Sequence, residues 1–367
     1  MKLTIKKEIL LDGLNKVSKA LSSKNLVPVL AGIKFDLKDD CLVLTGSDSD
    51  ITIQTTINED IEIIKKGSVV LSSKYILEII RKIDSEVVHI YIVDGTLTRI
   101  EGSGSKFDLN GTSYIDYPRI DLNKSGVNLQ LKSSDFKQAI EQTSFATSEK
   151  ETRPVLTGVN FKAKDRVLEC IATDSYRLAK RLLDIDSDVT FNIIIPKKSL
   201  IEISRIIEND EIIDLYISDR KVLCIYNNIL IQTRLIDGTF PDTSRLIPNE
   251  FAYSMSVDSS SLLSSIDRAS LLSSDQTNII KLSMNVDTVM ISSSSQEIGS
   301  VEEILSKAFY KGNPLSISFS AKYLNDAIKS VNSDKVRILF TGEMKPFIIK
   351  DLEREDIIQL VLPVRTY

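Results

Sequence analysis

The chain has 367 residues, 42% hydrophobic and 26% charged, with a net charge of −5. This balance suits a folded chain rather than a disordered one, and the length allows two or three domains at the usual ~100–200 residues each. A single histidine, His89, nearly excludes histidine-based acid–base chemistry and the usual histidine-rich metal sites.

The N-terminal Met1-Lys2-Leu3-Thr4-Ile5 alternates like a strand, and no apolar run approaches the ~18 residues of a membrane span. Neither a leader nor a membrane segment is therefore expected. Next, Ile9, Leu10, Leu14, Val17 and Leu21 recur at helical spacing. Leu42-Val43-Leu44 and the run from Ile51 to Ile57 alternate as strands, with a turn at Lys38-Asp39-Asp40. Tyr75, Ile76, Ile79, Ile80 and Ile83 make a second helical stripe, followed by a strand from His89 to Val93 and a turn at Asp94-Gly95. His89 is read as an ordinary strand residue. Further turns fall at Asp237-Gly238 and at Lys311-Gly312-Asn313-Pro314. Cys41, Cys170 and Cys224 are odd in number and far apart, so no disulfide framework or zinc site is expected and a reducing cytoplasm fits.

This grammar repeats. Leu10, Phe136 and Leu262 are spaced by 126 residues each time, as are Leu14, Ile140 and Ile266, Ser18, Ser144 and Ser270, and Ile5, Leu131 and Val257. Pro28-Val29-Leu30-Ala31-Gly32 returns as Pro154-Val155-Leu156-Thr157-Gly158, and Asp48-Ser49 as Asp174-Ser175. Glu78 and Arg81 return as Glu202 and Arg205, and Lys74-Tyr75 as Lys322-Tyr323. Each unit closes before a proline, at Tyr117-Pro118, Phe240-Pro241 and Leu362-Pro363. Units this long are domains, not solenoid repeats of ~20–50 residues. Strand, helix and several strands, twice per unit, indicate an α+β class.

Charge is unevenly spread. The helix-bearing segments carry +3 over 6–24, +1 over 72–84, 0 over 132–144, +1 over 197–209, −1 over 258–270 and +1 over 320–332. They total +5, so the remainder of the chain carries −10. If the helices share a face, that face is basic and suited to a duplex held by its phosphates without base reading.

Motifs with a catalytic look read as structural. Gly102-Ser103-Gly104-Ser105-Lys106 lacks phosphate-loop spacing and the helix such a loop needs. Asp48 and Asp174 occupy equivalent positions in successive units and read as turn or strand-end residues. The serine-rich stretches at 259–261 and 292–295 have no histidine to activate them. Two other readings stay open: a metal-dependent nuclease using Asp48 and Asp174, and an interaction module unconnected with DNA.

The segments Val27-Pro28-Val29-Leu30, Arg153-Pro154-Val155-Leu156-Thr157-Gly158, Ala172-Thr173-Asp174-Ser175-Tyr176-Arg177-Leu178-Ala179, Asp237-Gly238-Thr239-Phe240-Pro241-Asp242 and Leu362-Pro363-Val364-Arg365 occur in that order. On these residues the chain resembles, along essentially its full length, the bacterial β sliding clamps, processivity subunits of DNA polymerase III. The resemblance implies three sliding-clamp domains, at 1–124, 125–248 and 249–367, each with two helices on antiparallel sheets. It also implies a head-to-tail dimeric ring. A clamp is no enzyme and needs no cofactor or metal. Its partners would be double-stranded DNA, bound without sequence preference, a second copy of itself, and polymerases, the clamp loader and repair proteins docking through short linear peptides.

Residue by residue, the resemblance puts Lys24, Lys197, Lys198 and the loop residue Lys150 at DNA-contact positions. The helix charges add Arg81, Lys82 and Arg205. A peptide pocket would take Leu156, Thr173, Ser175, Tyr176, Arg177 and Leu178, then Pro241, Arg245 and Leu246, with Arg177 and Arg245 at its rim. Tyr323, Pro346, Leu360, Leu362, Pro363 and Val364 would complete it. Many members have Gly-His where Ser175-Tyr176 stands. Leu156 and Leu178 have an alternative reading as core. At the dimer contact, Lys106, Phe107 and Leu109 would meet Leu271 and Leu272, with Glu297, Glu302 and Glu303 close enough to meet Lys106.

Overall fold

The computed structural model describes residues 1–22, 27–273 and 278–365. Each helix-bearing segment of the sequence becomes a short helix: α1 (Lys7–Ser18), α2 (Ser73–Lys82), α3 (Ser133–Thr143), α4 (Lys197–Ile206), α5 (Ser259–Ser270) and α6 (Ala321–Val331). The stripe is what buries them. On α1, Leu10, Leu14 and Val17 are fully enclosed, and Leu324, Ala327, Ile328 and Val331 do the same on α6. The three apolar triplets are core positions, while Ser18 and Ser270 of the serine triplet are half-buried. Leu10, Phe136 and Leu262 are all 0% exposed, and Ile5, Leu131 and Val257 are buried in the strands just before them.

The chain divides into two compact units, Met1–Ser134 with Lys198–Leu235, and Asp135–Lys197 with Ile236–Tyr367. All their strand ladders are antiparallel. The first unit holds an eight-stranded sheet in the order Val127–Lys132, Ile212–Ile217, Lys221–Tyr226, Ile229–Arg234, Ile51–Ile57, Leu42–Ser47, Gly32–Leu37, Gly67–Ser72. Its five-stranded sheet runs Ile61–Lys65, Lys2–Lys6, Val87–Asp94, Leu97–Gly102, Ser105–Leu109. The second unit holds a nine-stranded sheet, Phe191–Pro196, Gly158–Lys164, Val167–Thr173, Arg177–Asp184, Ile357–Val361, Phe347–Asp351, Lys335–Phe340, Tyr253–Asp258, Ala308–Lys311. Its four-stranded sheet runs Gly299–Ile304, Val289–Ser295, Ile279–Met284, Leu315–Ser320.

Each large sheet is therefore built from two successive repeats. In the first unit the seam is Ile51–Ile57 against Ile229–Arg234, with Thr52 opposite Gln232. In the second it is Arg177–Asp184 against Ile357–Val361, with Leu178 opposite Leu360. The registers correspond residue for residue: Thr45 faces Gln54 as Ile171 faces Lys180, and Ser47 faces Thr52 as Thr173 faces Leu178. Hydrogen bonding across the seams is why the middle repeat is shared between the two units.

Local chemistry closes the turns. Gly126 opens the second repeat at φ +89°, and a Cβ there would lie 1.9 Å from the Ile217 carbonyl oxygen, so only glycine fits. In the core of the second unit, Phe347 packs against Phe319 and Phe340 with ring centroids 5.2 and 5.4 Å apart. At one border of that unit, Arg268 of α5 donates through Nε and Nη2 to Glu303 on the edge strand, at 2.8 and 2.5 Å, and Ser265 Oγ adds a bond of 2.6 Å.

Two outcomes follow from this packing. Phe319→Ala removes a fully enclosed ring and should cost about 3–5 kcal/mol. Phe309→Ala, at a side chain 79% exposed, should stay within about 0.5 kcal/mol. Thermal unfolding compares the two, and equal shifts would contradict this core assignment. The second outcome concerns Glu303. The Arg268 guanidinium first, then Ser265, lowers its carboxyl to about 2. A depressed carboxylate contributes stability above its ordinary value of 4.5, and that contribution disappears as pH falls toward 2. Side-chain carbon NMR should find Glu303 titrating in that low range, and rising toward the ordinary value in Arg268→Ala. Unchanged titration in the variant would remove the pair from the account.

Candidate functional site

The segment after strand Val167–Thr173 forms a tight carboxylate-closed turn. Asp174 Oδ1 accepts from the backbone N–H groups of Tyr176 and Arg177 at 2.9 and 3.0 Å, and Thr173 Oγ1 donates to the Arg177 carbonyl at 2.6 Å. Ser175 takes a left-handed φ of +78°. The turn leaves Tyr176 60% exposed and sends Arg177 inward, only 8% exposed. This corrects the expectation that Arg177 sits at a rim. Its Nε donates to Asp174 Oδ2 at 3.0 Å, Nη1 to Asp326 Oδ2 at 2.6 Å and Nη2 to the Phe145 carbonyl at 2.7 Å. Its guanidinium carbon lies 5.2 Å from the Phe145 ring centroid and 4.6 Å from that of Tyr323. The charge is buried because every direction around it offers an acceptor or a ring face. Burial also raises the Tyr323 phenol above its usual value.

Beside this turn lies an apolar floor of Ile171, Leu178, Ile348 and Leu360, with the partly exposed Phe240, Ile247, Phe251, Leu339, Ile358 and Leu362 packed on it. Of the residues expected in a pocket, Leu178, Leu360 and Leu362 meet here, and the Leu362 N–H donates to the Tyr176 carbonyl at 2.9 Å. Pro241, Arg245 and Leu246 are exposed on the connecting segment, and Pro346 and Pro363 are half-buried. The Val364 N–H donates to the Ser318 carbonyl at 2.7 Å. Leu156 is 3% exposed, and its backbone bonds to Arg153 and Ser148. Sequence reasoning missed Ile171, Ile348, Phe240 and Phe251. The uninterrupted Phe347-Ile348-Ile349, too apolar for a strand wetted on one face, was the available signal.

The basic residues of the helices are exposed but accompanied. Arg81 and Lys82 share Glu78, at 2.5 and 3.1 Å, and Arg205 pairs with Glu202 at 2.7 Å. Lys198 pairs with the Asp48 carboxylate. Lys150 is exposed and Lys197 half-buried, while Lys24 lies outside the described residues. Local positive charge is therefore smaller than lysine and arginine counts suggest.

Lys106, Phe107 and Leu109 lie on Ser105–Leu109, the last strand of the five-stranded sheet, with Phe107 36% exposed. In the second unit, Glu302 and Glu303 lie on Gly299–Ile304, the last strand of the four-stranded sheet. Glu297 and Glu302 are exposed, Leu271 is 75% exposed and Leu272 half-buried. Glu303, expected near Lys106 of a second copy, has partners within its own chain. Arg268 and Ser265 already occupy its carboxylate.

The residues with a catalytic look do structural work. Asp48 accepts from the N–H groups of Asp50 and Ile51 at 3.1 and 2.9 Å, the same turn that Asp174 makes. Ser103 and Gly104, at φ +44° and +80°, are the two-residue hairpin between strands Leu97–Gly102 and Ser105–Leu109. His89 is an exposed strand residue whose Nδ1 lies 3.0 Å from Thr4 Oγ1. Among the described residues no three His, Cys, Asp or Glu side chains gather as metal ligands.

Family models of the DNA polymerase III beta subunit match in succession: the N-terminal domain over residues 1–121, the central domain over 130–242 and the C-terminal domain over 244–365. The chain is 42% identical to the beta sliding clamp of Bacillus subtilis and 41% identical to that of Staphylococcus aureus, covering each chain in full. Its fold matches the crystal structure of the Bacillus subtilis sliding clamp with a TM-score of 0.97 at 41% identity. It matches the beta subunit of Streptococcus pyogenes at 0.96 and 31% identity, again over both whole chains. With three sliding-clamp domains in the α+β class, the chain belongs to the DNA polymerase III beta subunit family of sliding clamps.

Proposed function

We propose that the chain is a non-catalytic processivity clamp of domains 1–124, 125–248 and 249–367 that closes head to tail with a second copy around duplex DNA in the cytoplasm. One observation carries the closure. Ser105–Leu109 occupies in the first repeat the place that the seam strands Ile229–Arg234 and Ile357–Val361 occupy in the second and third. Gly299–Ile304 occupies in the third repeat the place of the seam strands Ile51–Ile57 and Arg177–Asp184. Both are sheet borders in the single chain, with unpaired backbone donors and acceptors. Pairing one chain's Ser105–Leu109 with another's Gly299–Ile304 joins five strands to four, making a nine-stranded sheet like the one within the second unit. It would also cover Phe107, Leu271 and Ile304, 36%, 75% and 66% exposed. Glu297 and Glu302 are then the carboxylates left for Lys106.

A closed ring retains DNA by topology, so its contacts with phosphate need not be strong. Arg81, Lys82, Lys198 and Arg205, each with a carboxylate partner, suit weak contact that moves from phosphate to phosphate, with Lys24, Lys150 and Lys197 adding charge. The apolar floor beside Arg177, with Tyr176, Tyr323, Leu362 and Leu246 around it, would hold apolar anchors of short peptides from polymerases, the clamp loader and repair proteins. The remaining positions expected there, Leu156, Thr173, Ser175, Pro241, Arg245, Pro346, Pro363 and Val364, would shape and border it. The three buried free cysteines accord with a reducing compartment, and among the described residues no helix is long and apolar enough to cross a membrane.

The chain should sediment at twice 41.0 kDa and, once loaded, stay on nicked circular DNA but leave after the circle is cut. Equal loss before and after linearisation would refute topological retention. For the pocket, Leu362→Ala should weaken a fluorescent peptide ending in two apolar side chains by about tenfold, the ~1.4 kcal/mol of one lost anchor. DNA retention should be unchanged, and undiminished peptide binding would move the pocket elsewhere.

A further inference from the structure

The first unit contains a counterpart of the apolar floor. A groove of about 600 Å³ is lined by Lys34, Thr45 and Gln54 on three adjacent strands and by Tyr114, Ile115 and Arg119 of the following segment. Sheet register fixes the correspondence. Thr45 stands where Ile171 stands in the second unit, Thr52 where Leu178 stands, and Gln232 where Leu360 stands. Tyr117-Pro118 takes the place of Phe240-Pro241, and the buried Tyr117 hydroxyl donates to the Thr45 carbonyl at 3.4 Å, holding the segment on the sheet. The cradle is repeated while its chemistry is changed. The aliphatic floor is replaced by a polar one whose groups bond among themselves, Gln54 Nε2 donating to Thr45 Oγ1 at 3.0 Å, which gives little reward for a deep apolar anchor.

The lining carries two cations, Lys34 and Arg119, and no carboxylate, on a chain of net charge −5. The Asp36 carboxylate stands 4.0 Å from Lys34 Nζ but already accepts from Ser68 Oγ at 2.6 Å, and Asp121 nearby in sequence is held by Lys221 at 2.8 Å. Two apolar side chains stand free at the lip, Ile115 76% and Tyr114 47% exposed. We propose that this groove docks an extended acidic peptide of a partner protein. Lys34 and Arg119 pair with its carboxylates, and Tyr114 and Ile115 pack on an aliphatic side chain between them. A single-stranded nucleic acid would favour successive stacking rings over an isoleucine. The inference borrows the peptide-pocket reading for its geometry only, so the test separates the two sites.

Full-length protein is titrated into fluorescein-labelled Asp-Leu-Glu-Leu-Asp-Glu and followed by anisotropy. Binding should be weak, lessen with salt, fall about tenfold in Lys34→Glu/Arg119→Glu as two attractions become repulsions, and persist in Leu362→Ala. Ile115→Asp, at an exposed side chain, should weaken it too and serves if the double variant unfolds. No binding, or binding indifferent to these groove variants, overturns the proposal. Loss in Leu362→Ala assigns the peptide to the other pocket and overturns it as well. So does a thymidine oligonucleotide that displaces the peptide and itself loses affinity in the double variant, because the groove would then be a nucleic-acid site.

Discussion

Pairing of a strand from one repeat with a strand from the next is the constraint on which the rest of this structure depends. At each seam the ladder joins segments far apart in sequence, Thr52 to Gln232 and Leu178 to Leu360. A slip of one residue at either seam would turn every side chain of the strand to the opposite face. The seam thus determines which residues form the floor beside Arg177 and which remain in the helix-facing core. The helices ride on sheets whose order is already fixed, with Leu10, Phe136 and Leu262 as matching anchors beneath them.

The same seam explains how one sequence pattern supports two different surfaces. Where Ile171, Leu178 and Leu360 meet, the outer side of the sheet is apolar and needs a covering segment or a partner. At Thr45, Thr52 and Gln232 the equivalent positions carry polar side chains instead, with Thr45 and Thr52 still buried. Substitution at matching register positions has separated the chemistry of the two places without disturbing their backbone.

Much of this architecture is legible in the sequence. Helical spacing located the first two helices and the repeat carried that reading to the other four, while the apolar 126-residue triplets fall on core positions because a buried site in one repeat is buried in the next. Turn residues such as Asp48 and Asp174 were recognisable because their carboxylates close their own loops. What escaped were contacts between distant segments. Arginine is normally a surface residue, and nothing beyond Asp174 three residues earlier hinted that Arg177 would be enclosed by Asp326, Phe145 and Tyr323. Glu303 read as a free surface charge because its partner Arg268 lies 35 residues away on a different element. The apolar floor was only partly visible, since alternation reveals one buried face and Ile348 belongs to a strand buried on both.

The sharing of the middle repeat between two compact units bears on how such a chain can be shortened or rebuilt. The boundaries drawn by sequence similarity and those drawn by cohesion are out of phase by half a repeat. A fragment cut at the sequence boundaries would carry a raw sheet border on either flank and should clump. Cutting instead between Ser134 and Asp135 would sever α3 near its start. Both joints in such a chain are the same strand pairing, and no single repeat contains both sides of it.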